Sequence, residues 1–104
     1  MAENVMYQHI VKSPEMLSGR PHIAGRRIRV QDIYQSQLLW GWDPDRICDE
    51  YDLSLGQVFA ALAYAYDHLD EIRGDIQQDE ALYAMQKAST PSLVQQKRAD
   101  RNDG

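Results

Sequence analysis

The chain has 104 residues, enough for one small domain, and its 43% hydrophobic and 26% charged residues are typical of a globular protein. No run of about 18 apolar residues predicts a membrane span, and the polar N-terminus does not resemble a signal peptide, so we expect a cytoplasmic protein. The single cysteine, Cys48, excludes an internal disulfide bond and a zinc site of paired cysteines.

The net charge of −5 is distributed unevenly along the chain. Residues 1–42 hold five basic and three acidic residues, residues 43–83 hold two and eleven, and residues 84–104 hold four and two. This division indicates separate basic and acidic surfaces rather than a uniform polyanion.

Short extended segments are predicted before the first helix. Met6–Val11 has the aromatic and β-branched residues of a strand. In the stretch GRPHIAGRRIRV, Pro21 disfavours a helix, and Gly25 stands where a tight turn would join two arms of a β-hairpin. Such a hairpin is marginally stable alone and must pack against the helices or a partner chain.

Two helices are predicted next, Asp32–Trp40 and one that begins at Asp43-Pro44 and ends at Tyr51. Gly41 is a natural stop for the first helix, and Asp followed by Pro is a typical helix start. The apolar contributors of the first helix include Ile33, Leu38 and Trp40, and we expect Ile47, Cys48 and Tyr51 of the second helix to face inward.

A central helix is predicted over Ser54–His68, where Ser54 and Gln57 form a capping box. Its spacing predicts one apolar stripe facing the core: Leu55, Val58, Phe59, Leu62, Tyr66 and Leu69. The opposite face is small and hardly charged: Gly56, Gln57, Ala60, Ala61, Tyr64 and His68. A helix with so little charge all round is normally covered on more than one side. We therefore expect a homodimer, with Ala60, Ala61, Tyr64 and His68 as interface candidates.

A further helical stretch runs from Leu69 to about Lys87, anchored by Ile72, Ile76, Leu82 and Met85, and it either continues the central helix or stands apart. Residues 89–104 are polar, and we expect a frayed tail. The fold prediction is mainly α: a helix-turn-helix trihelical core, homeodomain-like or winged-helix-like, with a short N-terminal β-hairpin and a C-terminal helical extension. Residues 1–88 form the single domain.

The linear pattern SGRPHIAGRRIRVQDI, followed by GWDPDRICDEYDLSLGQVFAALAYAYDH, resembles the domain-of-unknown-function family 433. Matching positions are Gly19, Pro21, Ile23, Gly25, Arg27, Ile28, Val30, Gly41, Trp42, Ala61, Leu62 and Tyr64. Arg26 departs from the pattern, since the family usually has threonine there. The resemblance implies an antitoxin-like, non-enzymatic protein of the kind often encoded beside a PIN-like nuclease.

The candidate binding residues are four arginines of the predicted hairpin and two polar residues of the central helix: Arg20, Arg26, Arg27, Arg29, Gln57 and Tyr64. The arginines allow three interpretations. They could be solvated charges that discourage edge pairing of the hairpin, they could contact phosphates, or they could insert into an acidic partner site such as a nuclease's carboxylates. The central helix presents no Lys or Arg in its first turns, which disfavours direct reading of DNA bases.

Catalytic and metal sites are not predicted. The three histidines, His9, His22 and His68, share no metal-ligand spacing with one another or with Cys48, and no nucleophile elbow, phosphate loop or triad signature occurs. We expect no cofactor. Two functions remain open: an antitoxin-like module that neutralises a PIN-like nuclease, with or without binding to operator DNA, or a self-associating interaction module whose helix-turn-helix does not bind DNA.

Overall fold

A computed structural model describes residues 7–89. In chain order its elements are strand β1 (Ile10–Val11), a 3-10 turn (Leu17–Gly19), strand β2 (His22–Ile23), and helices α1 (Val30–Trp40), α2 (Pro44–Tyr51), α3 (Leu55–Asp67) and α4 (Leu69–Ser89). The mainly helical prediction is confirmed. The predicted tail lies outside the described residues from residue 90 onward, as does Met6 at the start of the predicted first strand.

The sheet has two short antiparallel strands, with Ile10 opposite Ile23 and Val11 opposite His22. The turn predicted at Gly25 is confirmed, since Gly25 has a φ of +78°. Across that turn the backbone N–H of Ile23 donates to the carbonyl of Ile28 at 2.9 Å, and an isolated bridge joins His22 to Arg29. The two arms of the hairpin therefore lead directly into α1.

Local capping chemistry fixes three helix ends where the sequence predicted them, whereas α1 begins at Val30, two residues before the predicted start at Asp32. Gly41 closes α1 with a φ of +65°. The side chain of Asp43 accepts from the backbone N–H of Arg46 at 2.9 Å, with Pro44 as the first residue of α2. α3 has the reciprocal capping box, in which Gln57 N–H donates to the Ser54 hydroxyl at 3.1 Å and Ser54 N–H donates to the Gln57 side chain at 2.8 Å.

The core lies where the sheet meets the four helices. Fully buried aliphatic side chains come from β2 and from every helix: Ile23, Ile33, Ile47, Val58 and Ile72. Of the apolar residues named for the first helix, Ile33 is buried, whereas Leu38 and Trp40 are exposed at the outer end of α1. α1 instead buries residues of its first two turns: Val30, Gln31, Ile33, Tyr34 and Ser36.

The predicted orientation of α3 is largely wrong. Val58 and Leu62 are buried as expected, but three large residues of the predicted inner stripe are exposed: Leu55, Phe59 and Tyr66. The small residues Ala61 and Ala65 are fully buried instead. α3 contacts α1, α2, α4 and both strands, and small side chains allow such close approach on several sides. Packing thus places the alanine face inward.

α4 is a separate helix, which settles the alternative that the sequence left open. The break falls at His68, whose backbone is non-helical (φ −132°, ψ 48°) and whose N–H donates to the carbonyl of Tyr64 at 2.9 Å. Ile72 and Ile76 pack on the core as predicted, but Leu82 and Met85 are exposed. Residues 81–88 are all exposed. Within residues 7–89, none of the helices combines the length and apolar character needed to cross a membrane.

Candidate functional site

The arginine group predicted as a binding site is divided by the fold, and Arg20 is its most buried member. The Arg20 side chain is 11% exposed and lies between the start of α1 and the side of α4. Its Nη1 donates to Asp79 Oδ1 at 2.7 Å and to Gln31 Oε1 at 2.9 Å, and its Nη2 donates to Gln78 at 3.1 Å. Its Nε lies 3.8 Å from Asp75. This guanidinium is therefore committed to internal partners.

Arg29 completes the same network from the residue that precedes α1. Its Nε and Nη2 donate to Asp32 at 3.1 and 2.9 Å, and its Nη1 donates to Asp79 Oδ2 at 3.2 Å. The backbone N–H of Arg29 also donates to Asp32, at 2.9 Å, so the same carboxylate satisfies a free donor at the helix start. The hydrogen bond with Asp32 raises the pKa of Arg29 despite its partial burial.

Asp79 is the centre of this network. Besides the two arginines, it accepts from Gln31 Nε2 at 3.0 Å. Burial alone would raise the pKa of Asp79, but the hydrogen bonds from Arg20 and Gln31 and the arginine charges outweigh it and lower that pKa. The carboxylate is therefore held ionised and shared between two guanidinium groups.

Asp75, one helical turn before Asp79, has a different environment. Among the described residues, its Oδ2 is the buried side-chain polar atom that has no hydrogen-bond partner. Burial raises the pKa of Asp75, and the Arg20 charge offsets only part of that effect. The groove above these groups, about 420 Å³ between the 3-10 turn and α4, is lined by the paired charged groups of Arg20, Arg29 and Asp79 and by Asp75, whose Oδ2 is unpaired among the described residues.

Arg26 and Arg27 behave differently although they are adjacent. Arg26 donates to the backbone carbonyls of Asp52 and Tyr51, both at 2.8 Å. These bonds satisfy carbonyl groups at the end of α2 that have no partner within the helix. They also hold the hairpin turn against that end of α2. Arg27 is exposed and has no hydrogen bond or ion pair within residues 7–89. Of the four arginines predicted to bind a partner, Arg27 is the one that the described fold leaves free.

Tyr64 was predicted to face outward, but its side chain is buried. Its hydroxyl donates to Glu71 at 2.7 Å, and Glu71 also receives Lys12 Nζ at 2.7 Å. Burial, followed by the hydrogen bond to Glu71, raises the pKa of Tyr64 to about 12. For Glu71, burial acts to raise the pKa, and the bonds from Lys12 and Tyr64 outweigh it and lower the value. The contacts of Glu71 in α4 with Tyr64 in α3 and with Lys12, which follows β1, therefore link these three parts of the fold.

The other residues predicted for an outward face of α3 are also engaged within the chain. The His68 ring stacks on Tyr64 with 4.2 Å between centroids, and its Nδ1–H donates to the Tyr64 carbonyl at 3.1 Å. Ala61 is fully buried and Ala60 is half-buried. The side-chain oxygen of Gln57 is used in the capping box. Ala61 and Tyr64 belong to the core, because the alanine face of α3 is the one that packs inward.

Metal-ligating and nucleophilic groups do not converge in the part of the chain that the structure describes. No group of three or more His, Cys, Asp or Glu side chains there is arranged to hold a metal ion. Burial, followed by the charges of Asp45 and Asp49, raises the pKa of Cys48 and leaves less of it as the reactive thiolate.

The acidic half of the arginine network was missed from the sequence, although it had a signal. Glu71, Asp75 and Asp79 recur at intervals of four residues, which places three carboxylates on one face of a helix. Such a face, in a chain whose basic residues gather before α1, indicates an internal salt-bridge surface rather than a solvated one. Gln31, which bridges Arg20 and Asp79, gave no such signal.

The chain is thus a small, mainly helical domain with a two-stranded sheet and an internal arginine–carboxylate network. It belongs to the family described as "Protein of unknown function (DUF433)", which matches residues 10–65, so the resemblance seen in the sequence is confirmed. Neither curated proteins nor solved structures give a match. The family match begins at β1 and ends at residue 65, within α3, so it includes Arg20 and Arg29 but not their partner Asp79.

Proposed function

We propose that the protein is a non-enzymatic module whose task is to bind another protein. The observation that carries this proposal is the outer end of α1, where three consecutive large apolar residues, Leu38, Leu39 and Trp40, are 61%, 62% and 59% exposed. Consecutive exposed apolar residues oppose solubility and folding unless they serve an interface. This end of α1 is therefore a docking surface.

The surface continues past the end of α1. The Trp40 and Trp42 rings lie 5.0 Å apart, and the Arg46 guanidinium lies 4.7 Å above the Trp42 ring. Tryptophan and arginine are the residue types that most often dominate the binding energy of interfaces. We call the surface formed by Leu38, Leu39, Trp40, Trp42 and Arg46 the tryptophan patch.

We further propose that α1, α2 and α3 form a helix-turn-helix trihelical core. The support is the order of a capped short helix, a turn over residues 52–54 and a longer capped helix packed on α1. The charge pattern disfavours reading of DNA by α3, which contains no Lys or Arg. α2 adds four acidic residues to the same motif: Asp45, Asp49 and Glu50, and Asp52 at its end. A protein partner fits this charge better than an operator does.

The family resemblance suggests which protein partner to test first. Antitoxin-like relatives are associated with PIN-like nucleases, whose metal sites are built from clustered carboxylates. Arg27 is the hairpin arginine without a hydrogen bond or ion pair among residues 7–89, so it is our candidate for a guanidinium that reaches such carboxylates. It and the tryptophan patch lie near opposite ends of α2, an eight-residue helix about 12 Å long. One partner of ordinary size can contact both.

Co-expression with the product of the neighbouring gene tests this function. We expect that product to be a PIN-like nuclease, to co-purify with the chain, and to lose its metal-dependent RNA cleavage in the complex. The double variant Leu39→Ala, Trp40→Ala should weaken binding and inhibition at least roughly tenfold. Val11→Ala removes an exposed apolar side chain elsewhere and should change neither. A neighbouring product that is no nuclease, or a complex unaffected by the double variant, would contradict the proposal.

The second candidate function is a self-associating module that does not bind DNA, and the exposed apolar surface of α4 favours it. A gel-shift titration with promoter DNA separates operator binding from this function. Specific binding that weakens steeply with added salt would indicate DNA contact through phosphates. We expect no shift, because α3 lacks basic residues.

A further inference from the structure

Residues 81–88 of α4, here called the α4 arm, extend beyond the packed part of that helix. Leu82, Tyr83 and Met85 are 49%, 66% and 69% exposed, and Lys87 is the one charged residue of the arm. Large apolar side chains that lie exposed beside one another usually serve a contact with another molecule.

A second exposed apolar surface runs along α3. Leu55, Phe59, Ala63 and Tyr66 are spaced by four, four and three residues and are all exposed, so they form one face, here called the α3 stripe. Acidic residues flank both ends of the stripe, Asp52 before Leu55 and Asp67 after Tyr66. The stripe is thus an apolar strip with negative ends.

We propose that the occupant of the α3 stripe is the α4 arm of a second copy of this chain, in a reciprocal homodimer. The charges favour this pairing over its alternatives. Asp52 and Asp67 flank the stripe, whereas the charged residue of the arm is Lys87. Stripe against stripe would bring like charges together, while arm against stripe brings Lys87 towards Asp52 or Asp67.

The arm does not reach the stripe of its own chain. α4 is one continuous helix from Leu69 to Ser89, so the arm begins about 18 Å along the axis from the helix start. A continuous helix cannot fold back on α3, whereas the arm of a second copy has no such constraint.

The area of contact also favours reciprocal docking. Two arms paired only with each other, each about 12 Å long, would cover roughly a few hundred Å², and stable interfaces bury about 1,200–2,000 Å² in total. Reciprocal docking forms two arm–stripe contacts and covers both apolar surfaces of each copy. The residues of the tryptophan patch belong to neither the arm nor the stripe, so dimerisation and partner binding can be tested with separate variants.

The test is the mass of the full-length chain in solution, measured by light scattering over a range of micromolar concentrations. We expect twice the 12.0 kDa of one chain. Tyr83→Glu in the arm and Phe59→Glu in the stripe should each raise the dimer dissociation constant by at least roughly tenfold. Gln77→Glu adds the same charge to an exposed site of α4 outside the arm and should leave the dimer intact.

Mixing the two variants distinguishes this arrangement from others. The Phe59→Glu copy keeps its arm and the Tyr83→Glu copy keeps its stripe, so one intact contact should form and heterodimers should appear where each variant alone is monomeric. This rescue also shows that both variants are folded. A monomeric wild-type chain, a Phe59→Glu variant that dimerises like the wild type, or a mixture without heterodimers would overturn the proposal. Loss of nuclease binding with an intact dimer would count against the proposed function alone.

Discussion

Arg20 and Asp79 are 59 positions apart in the sequence, and their side chains meet at 2.7 Å between Nη1 and Oδ1. This contact joins the segment before α1 to the middle of α4. Asp79 also receives Arg29 and Gln31, so one carboxylate fastens α4 to two residues around the start of α1. This network gives Arg20 and Arg29 a structural role that requires no partner molecule.

The first prediction concerns this pair. Arg20→Ala should lower the free energy of unfolding by about 2 kcal/mol. The variant loses a nearly buried charged donor, and the Asp79 carboxylate loses one of its two arginine partners. Asp79→Asn should cost somewhat less, since Asp79 is partly exposed. Urea unfolding of both single variants and the double variant gives their coupling energy, and we expect about 1 kcal/mol. A coupling near zero would show that the contact contributes nothing to stability.

The second prediction is the acid dependence of stability. The pKa of Asp79 is lowered in the folded state, so its contribution is fully present above the unfolded pKa of about 3.9 and is lost as the pH falls through the folded pKa. Unfolding midpoints measured from pH 7 down to pH 3 should therefore fall less steeply for Asp79→Asn than for the wild type. The pKa of Glu71 is also lowered, so the stability of the Asp79→Asn variant should still fall with pH, but less steeply.

Asp75 should show the opposite sign. Its pKa is raised by burial, so the folded state binds its proton more tightly than the unfolded chain does, and Asp75 destabilises the fold once the pH rises through the folded pKa. Asp75→Asn should thus be neutral or stabilising at pH 7, and its advantage over the wild type should shrink as the pH falls towards 4. The same unfolding series measures both carboxylates. A loss of stability at pH 7 as large as that of Asp79→Asn would contradict this prediction.

The two neighbouring arginines of the turn provide a matched comparison. Arg26→Ala should cost about 1–2 kcal/mol, because two charge-assisted hydrogen bonds to the carbonyls of Tyr51 and Asp52 are lost. Arg27→Ala should change stability by no more than about 0.5 kcal/mol, as for an ordinary surface residue. Thermal unfolding followed by circular dichroism checks both. Equal effects would show that Arg26 is not an anchor of the turn.

The parts of the fold that the sequence predicted correctly are those decided by neighbouring residues. The stop at Gly41, the start at Asp43 and the capping box of Ser54 each depend on chemistry within four positions. The hairpin turn at Gly25 is of the same kind, because its positive φ is a local requirement that glycine meets without strain.

The parts that the sequence did not predict depend on contacts between distant segments. Whether Tyr64 or Phe59 of α3 faces inward is decided by how closely α1 and α2 approach, and periodicity gives no information on that distance. Leu82 is exposed because the packed part of the domain ends before it, and the α4 sequence does not indicate where that end lies. The role of Arg20 depends on Asp79, whose position relative to α1 only the folded chain defines.

The last prediction tests the observed orientation of α3. Ala61 is fully buried and Phe59 is about half exposed, although they are two residues apart on the same helix. Ala61→Glu should cost more than about 3 kcal/mol, because it forces a carboxylate into a close-packed core without a partner. Phe59→Glu should cost less than about 1 kcal/mol when measured at concentrations low enough to keep the chain monomeric, since the new charge lies in water. The helix and the introduced side chain are the same in both variants, so the difference reports orientation alone. If Ala61→Glu is tolerated and Phe59→Glu unfolds the chain, the large residues of α3 face the core after all, and the α3 stripe is not a surface.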